Sequence, residues 1–369
     1  MKKILAFCDY QTCYGSEGIL TGLYENPDVD VYEVPIIQHV RGRIDQGYDL
    51  PGETKKGFTS PPGYFTNPLP ENRHTPEDVL DNAKNFDLII LLSYRDYAIR
   101  GLRWFLQQTG QTPESLPLVL CDGEDAASIN NRVVEAFSPK LYMKREMVRG
   151  EINPGHVLPF GCEVWPLPFS AFSRSYPADI NDQKKETDLF LSLGNTFPGR
   201  ITLLGQFLEY GIEHDLRTWV GADGDNPLWK SHPHADKLNN LLGWTEYIRK
   251  QAQSKVTACM RGWGRDTLHA WEAFSFETAV LYADPGIHIP YPPEDGKHVY
   301  FFKEDCSDLK SALDFILNAD NLRRTMAKKC KQWLYEHHTN VKRAEYMINV
   351  FQRILAGEKI DPAEFGLQA

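Results

Sequence analysis

The sequence predicts an α/β protein of two domains, each built on a parallel sheet. Three observations support this. At 369 residues the chain exceeds what one ordinary core serves. Apolar runs of strand length alternate with helix-like periodic stretches along the whole chain. A polar break, Ser170 to Thr187 with Pro177 inside it, then separates two such series.

In the first series the candidate strands are Lys3–Cys8, Asp30–Pro35, Asp87–Leu92, Leu116–Cys121 and Lys140–Met143. In the second they are Leu189–Leu193, Leu216–Val220, Val256–Cys259, Ala279–Ala283 and Val299–Phe302. Each is a short, nearly unbroken apolar run, as a strand covered on both faces requires. Gly42 to Glu77 is rich in Pro and Gly and reads as a long surface excursion. Ser307 to Leu355 reads as three helices, with Asp308 and Asp320 as N-terminal signals. The expected domains are 1–170, a linker 171–187, 188–340, and a final helix in 341–369 that returns to the first domain. Ligands are expected at the carboxyl ends of the strands, in a cleft that both domains face.

Composition excludes several classes. Hydrophobic residues are 42% and charged residues 24%, which are globular values. No stretch approaches the ~20 apolar residues of a membrane helix. The apolar run after Met1-Lys2-Lys3 is shorter than the roughly 7–15 residues of a signal-peptide core. Seven cysteines without a Cys-x-x-Cys pair fit neither a disulfide framework nor a zinc ribbon, so a cytoplasmic location is expected. Net charge −10 disfavours broad phosphate-backbone binding and favours a small-molecule partner.

The richest segment is Val256–Asp284, VTACMRGWGRDTLHAWEAFSFETAVLYAD. A strand ends at Cys259, the loop Arg261-Gly262-Trp263-Gly264-Arg265 comes next, and a helix opens near Asp266. Glycines admit backbone N–H groups to an anion, and a helix start adds its positive end. Arg261 and Arg265 would complete a metal-free pyrophosphate cradle. Asp266, His269 and Glu272, spaced by three, would share one side of the helix, with Leu268, Trp271 and Phe274 docking on the sheet. Spacing alone equally suits a plain strand–loop–helix in which Asp266 caps and the arginines are solvated.

This segment, together with the chain downstream of it, resembles the C-terminal half of the group 1 and spore-maturation-type glycosyltransferases. The resemblance rests on Glu272-Ala273-Phe274, Thr278-Ala279-Val280-Leu281, Asp308-Leu309, the helix Asn321–Glu336, His337-His338-Thr339 and Arg343-Ala344, and covers roughly 188–350. It implies a GT-B fold of two Rossmann-like domains, a nucleoside diphosphate sugar as substrate, no cofactor, and Glu272 on the nucleotide ribose. The sequence departs at Gly264, where many retaining members carry a second glutamate. A second similar spot, Leu189–Leu204, places Gly194, Asn195 and Arg200 at a strand–helix turn, and implies that Arg200 holds the donor phosphates.

In the first half, Tyr14-Gly15-Ser16-Glu17-Gly18 would admit an acceptor or a phosphate, and it lacks the G-x-G-x-x-G of a nicotinamide dehydrogenase. Asp122, Glu124 and Asp125 cluster beyond a strand, where mutual repulsion could create a general base or where each could simply cap. Arg145, in Lys144-Arg145-Glu146, would face the cleft or pair with Glu146. Asp223-Gly224-Asp225 looks like a metal-binding Asp-x-Asp but sits in a polar loop after a strand, in a chain that resembles the metal-independent class, and His232, His234, His337 and His338 lack partners at metal-binding spacing. The expected activity is therefore metal-independent sugar transfer to an unidentified acceptor. An epimerase or phosphorylase of the same fold, or a non-catalytic binder of sugar nucleotides, is the alternative.

Overall fold

A computed structural model describes residues 1–8, 14–34, 74–171, 176, 179–180, 183–194, 196–222, 227–230 and 232–368. Most of the Gly42–Glu77 excursion, Asn195 and Asp223–Asp225 lie outside these residues. The chain divides into two compact units. The first is Met1–Ser175 with Ile287–Pro292 and Thr339–Ala369; the second is Tyr176–Gly286 with Pro293–His338.

The first unit carries strands β1 (Lys2–Phe7), β2 (Val29–Val34), β3 (Leu88–Leu91), β4 (Leu118–Asp122), β5 (Leu141–Lys144), β6 (His156–Leu158) and β7 (Cys162–Pro166). Their order is β2-β1-β3-β4-β5-β7-β6, parallel except for β6. Helices α1 (Tyr14–Glu25), α2 (Pro76–Asp81), α3 (Asp96–Thr109) and α4 (Asn131–Phe137) connect the strands. Fully buried Leu5, Phe7, Leu91, Leu102 and Phe105 form the centre of its core, so the unbroken apolar strands are covered on both faces.

The second unit carries β8 (Thr187–Ser192), α5 (Gly199–Glu213), β9 (Thr218–Ala222), α6 (Pro227–Lys230), β10 (Asn239–Asn240), α7 (Trp244–Ala252), β11 (Ser254–Cys259), α8 (Leu268–Phe274), β12 (Ala279–Ala283), β13 (Tyr300–Phe302), α9 (Leu309–Asn318) and α10 (Asp320–His337). All six strands are parallel, in the order β10-β9-β8-β11-β12-β13. Counted within the unit this is 3-2-1-4-5-6, the Rossmann order. Leu189, Leu191, Leu203, Phe207, Val256 and Leu281 are its buried centre.

All ten strands expected from sequence are present, and β6, β7 and β10 are additional. Helix α11 (Asn340–Leu355) belongs to the first unit and lies against α1. The approach is close: a Cβ on Gly22 would stand 2.0 Å from the Asn340 carbonyl oxygen. Ile287–Pro292 also belongs to the first unit, through an antiparallel bridge between Val148 and Ile287 and a 2.8 Å bond from His288 N–H to the Met147 carbonyl.

Candidate functional site

In the second unit the strand order reverses between β8 and β11. Loops leaving these neighbours run in opposite directions, which opens a crevice at their carboxyl ends. Arg200, second residue of α5, ties the two loops together. Its Nε donates to the Arg261 carbonyl at 2.8 Å, one terminal nitrogen to Gly194 at 3.1 Å and the other to Met260 at 3.2 Å. Burial draws the guanidinium's pKa down to about 10. Its planar fork of donors is thus turned onto carbonyls from both loops. Gly262 packs closely beside it: a Cβ there would sit 3.0 Å from Thr196 Oγ1 and 3.2 Å from Arg200.

Arg261 and Arg265 line one small recess together with Asp284 and Glu304. The Arg261 guanidinium lies 4.9 Å from the Phe197 ring centre and 3.9 Å from Glu304, and Arg265 donates to the Pro285 carbonyl at 3.2 Å. Between them Gly262 N–H bonds the Gly264 carbonyl at 2.9 Å, a tight turn that leaves Trp263 72% exposed at its tip.

Helix α8 starts at Leu268, two residues after Asp266, and has seven residues. Asp266 therefore precedes the helix. It is buried and accepts the Trp271 indole N–H at 2.7 Å, which removes it from the face shared by His269 and Glu272. Trp271 and Phe274 meet Trp333 of α10 rather than the sheet alone, with ring centres 6.2 and 5.5 Å away. Glu272 is buried with no ion pair among the described residues. Its Oε2 is 2.9 Å from the hydroxyl of Tyr247 on α7, which is also 2.6 Å from His269 Nδ1. Burial pushes the Glu272 carboxyl up to about 8. Sequence reading missed Tyr247. It is 25 residues from Glu272 on another helix, so only the sheet topology brings them together.

In the first unit a recess at the carboxyl ends of the strands is lined by Gly15, Ser16, Asp122, Gly123, Arg145 and Phe169 among others. Ser16 Oγ donates to the Leu92 carbonyl at 2.5 Å. The three clustered carboxylates do not act on one another as expected, because each has its own cation. Asp122 Oδ2 accepts from Lys144 Nζ at 2.7 Å and from the Tyr142 hydroxyl at 2.5 Å, with both side chains of the ion pair fully buried. Glu124 pairs with Arg95 at 2.8 Å, and Asp125 pairs with Arg145. Asp122 thus anchors β4 to its neighbour β5. Arg145 also lies 3.3 Å from Glu146 and 4.6 Å from the Phe169 ring centre. Among the described residues no group of three His, Cys, Asp or Glu side chains is arranged to hold a metal ion. No helix among them is long and apolar enough to cross a membrane.

No family model matches the sequence, and no curated protein matches it. Solved structures do match. A glycosyltransferase from Rickettsia africae aligns with TM-score 0.56 at 10% identity over 96% of this chain and 98% of its own. Sucrose-phosphate synthase from Thermosynechococcus elongatus gives 0.53 at 12% identity over 97% and 100%. HepE from Anabaena, solved with UDP and glucose, gives 0.53 at 12% identity over 95% and 99%. The chain therefore has the fold of the GT-B glycosyltransferases, two Rossmann-like units with terminal helices.

Proposed function

We propose that this chain is a glycosyltransferase that takes a sugar from a nucleoside diphosphate sugar. The observation that carries the reading is Glu272, a buried carboxyl without an ion pair among the described residues, on the helix that follows the switch-point strand β11 of a Rossmann sheet. Buried unpaired acids are costly to folding and are retained where a ligand completes them. A nucleotide's ribose diol supplies two hydroxyl donors for this carboxylate.

Arg261 and Arg265 take the diphosphate. As the sugar–phosphate bond breaks, negative charge builds on the leaving oxygen, and fixed cations there favour departure. Arg200 acts as a positioning residue by holding the Gly194 and Arg261 loops in register. The reading needs neither a metal nor a cofactor. The acceptor is received in the recess of Gly15, Ser16 and Arg145, with Glu124 and Asp125, rather than Asp122, as its carboxylates.

UDP is the first nucleotide to test, because HepE was solved with it. In a thermal-shift screen of UDP and UDP-sugars, wild type is expected to gain several degrees at saturation and Glu272→Ala to gain none. An equal gain in both proteins would remove Glu272 from the site.

A further inference from the structure

One line of hydrogen bonds runs through the second unit from Glu272 to the sheet. The Tyr247 hydroxyl stands 2.9 Å from Glu272 Oε2 and 2.6 Å from His269 Nδ1, and His269 Nε2 stands 3.2 Å from the Ala258 carbonyl oxygen. The protons along this line can be counted. A carbonyl only accepts, so Nε2 carries a hydrogen. Burial, reinforced by the Arg200 charge, draws the His269 pKa down to about 4, so the ring is neutral and Nδ1 presents a lone pair. That lone pair needs the single proton of Tyr247. Only lone pairs on the phenol oxygen then remain for Glu272, and two acceptors 2.9 Å apart repel each other.

The line closes when Glu272 brings a proton of its own. We propose that Glu272 is a carboxylic acid in the ligand-free protein, donating to Tyr247, which donates to His269, and that a vicinal diol binding at Glu272 expels this proton to solvent. The second half rests on the assignment of Glu272 to the nucleotide ribose. On binding, the O–H bond of the carboxyl breaks, its electron pair stays on Glu272 and the proton passes to the buffer. Both diol hydroxyls then donate to the carboxylate, which offsets the repulsion between its Oε2 and the Tyr247 oxygen. Tyr247 and His269 are positioning residues: they fix the rotamer of Glu272 and set which proton is held.

The surrounding groups agree with a neutral line. Tyr176, bonded to Ser275 Oγ at 2.9 Å, and the Cys259 thiol face Glu272, and burial alone is the largest effect that keeps Tyr176 protonated. Burial does the same for Cys259. Arg200 is the cation nearby, and it acts on His269, so an imidazolium–carboxylate arrangement with the same proton count would place a second buried positive charge beside it.

Infrared difference spectra of the ligand-free wild type against Glu272→Gln test the first half directly. The expected result near neutral pH is the carbonyl stretch of an un-ionised carboxyl, absent from the variant and lost from wild type as pH is raised. Should Glu272→Gln fail to fold, the nitrogen-15 spectrum of His269 in wild type serves instead, with a neutral Nε2–H tautomer expected. Absence of the band, or a charged ring, overturns the proposal whatever nucleotides do. Calorimetry with UDP in two buffers of different ionisation heat tests the second half, with release of about one proton expected at neutral pH and none well above the carboxyl's titration. Tyr247→Phe removes the acceptor of the carboxyl proton, so it is expected to keep UDP binding, weakened about tenfold, and to lose the carboxyl band at lower pH than wild type. UDP binding without proton release overturns the diol half and leaves the nucleotide assignment standing. With the band present and no UDP heat, the nucleotide assignment fails instead, and the diol half fails with it.

Discussion

Glu272 and Asp122 show how differently two buried acids can be held. Asp122 has a buried cation and a phenol on one oxygen, whereas Glu272 has one phenol and no ion pair among the described residues. The difference predicts opposite responses to change. Glu272 titrates about 8 in the fold against an ordinary 4.5, so the folded state holds the proton more tightly. Its contribution to stability is complete below 4.5 and is lost as pH rises toward 8, at about 1.4 kcal/mol per pH unit. Glu272→Gln should flatten that slope in urea unfolding across the window. Lys144→Met leaves Asp122 buried and unpaired and is expected to cost about 3–5 kcal/mol. Removing both charges with Asp122→Asn in the same chain should recover part of that loss, which a double-mutant cycle measures. Neither environment was legible from the residues alone. Glu272 stood out through its likeness to a family position, and Lys144 looked like the end of a strand. Asp122 looked like a member of an acidic cluster, because a linear sequence does not show that Lys144 lies beside it on the next strand.

At the scale of elements, strands were the most legible feature. Parallel strands covered on both faces are short apolar runs, and all ten such runs became strands. The three missed strands lack that signature. β10 is two asparagines, β6 lies at the sheet edge with exposed His156 and Val157, and β7 holds Glu163 and ends in proline. The start of α8 was displaced by two residues because Asp266 reads as a capping residue but bonds Trp271 instead. Two substitutions test how elements are joined. Gly22→Ala drives a Cβ into the Asn340 carbonyl between α1 and α11, and backbone on both sides leaves little room to yield. A loss of about 1–3 kcal/mol or more is expected in chemical denaturation. Arg200→Ala frees three carbonyls in the β8 and β11 loops. If Arg200 positions rather than binds, the variant should weaken UDP and also speed amide exchange at 260–262. Weaker UDP binding with unchanged exchange would return Arg200 to direct phosphate contact.

Across the whole molecule, identities of 10–12% coexist with alignments over at least 95% of the chain. What survives such divergence is the pattern of apolar strands and the Rossmann crossovers, which many residue choices satisfy. A site depends on a few named side chains, so it leaves a much thinner trace. The donor half was partly legible because Glu272 and the glycine–arginine loop are local in sequence. The recess in the first unit draws Ser16 from α1 and Asp122, Arg145 and Phe169 from the ends of three strands or just beyond them, and no local spacing announces it.

The central claim is that Glu272 holds the ribose of a nucleoside diphosphate sugar. Titration calorimetry with UDP on wild type and Glu272→Ala, at one pH and one salt concentration, tests it most directly. Losing hydrogen bonds to a charged acceptor costs about 1.5–3 kcal/mol, so the account predicts Kd weakened at least about tenfold. Equal Kd values for the two proteins would contradict it.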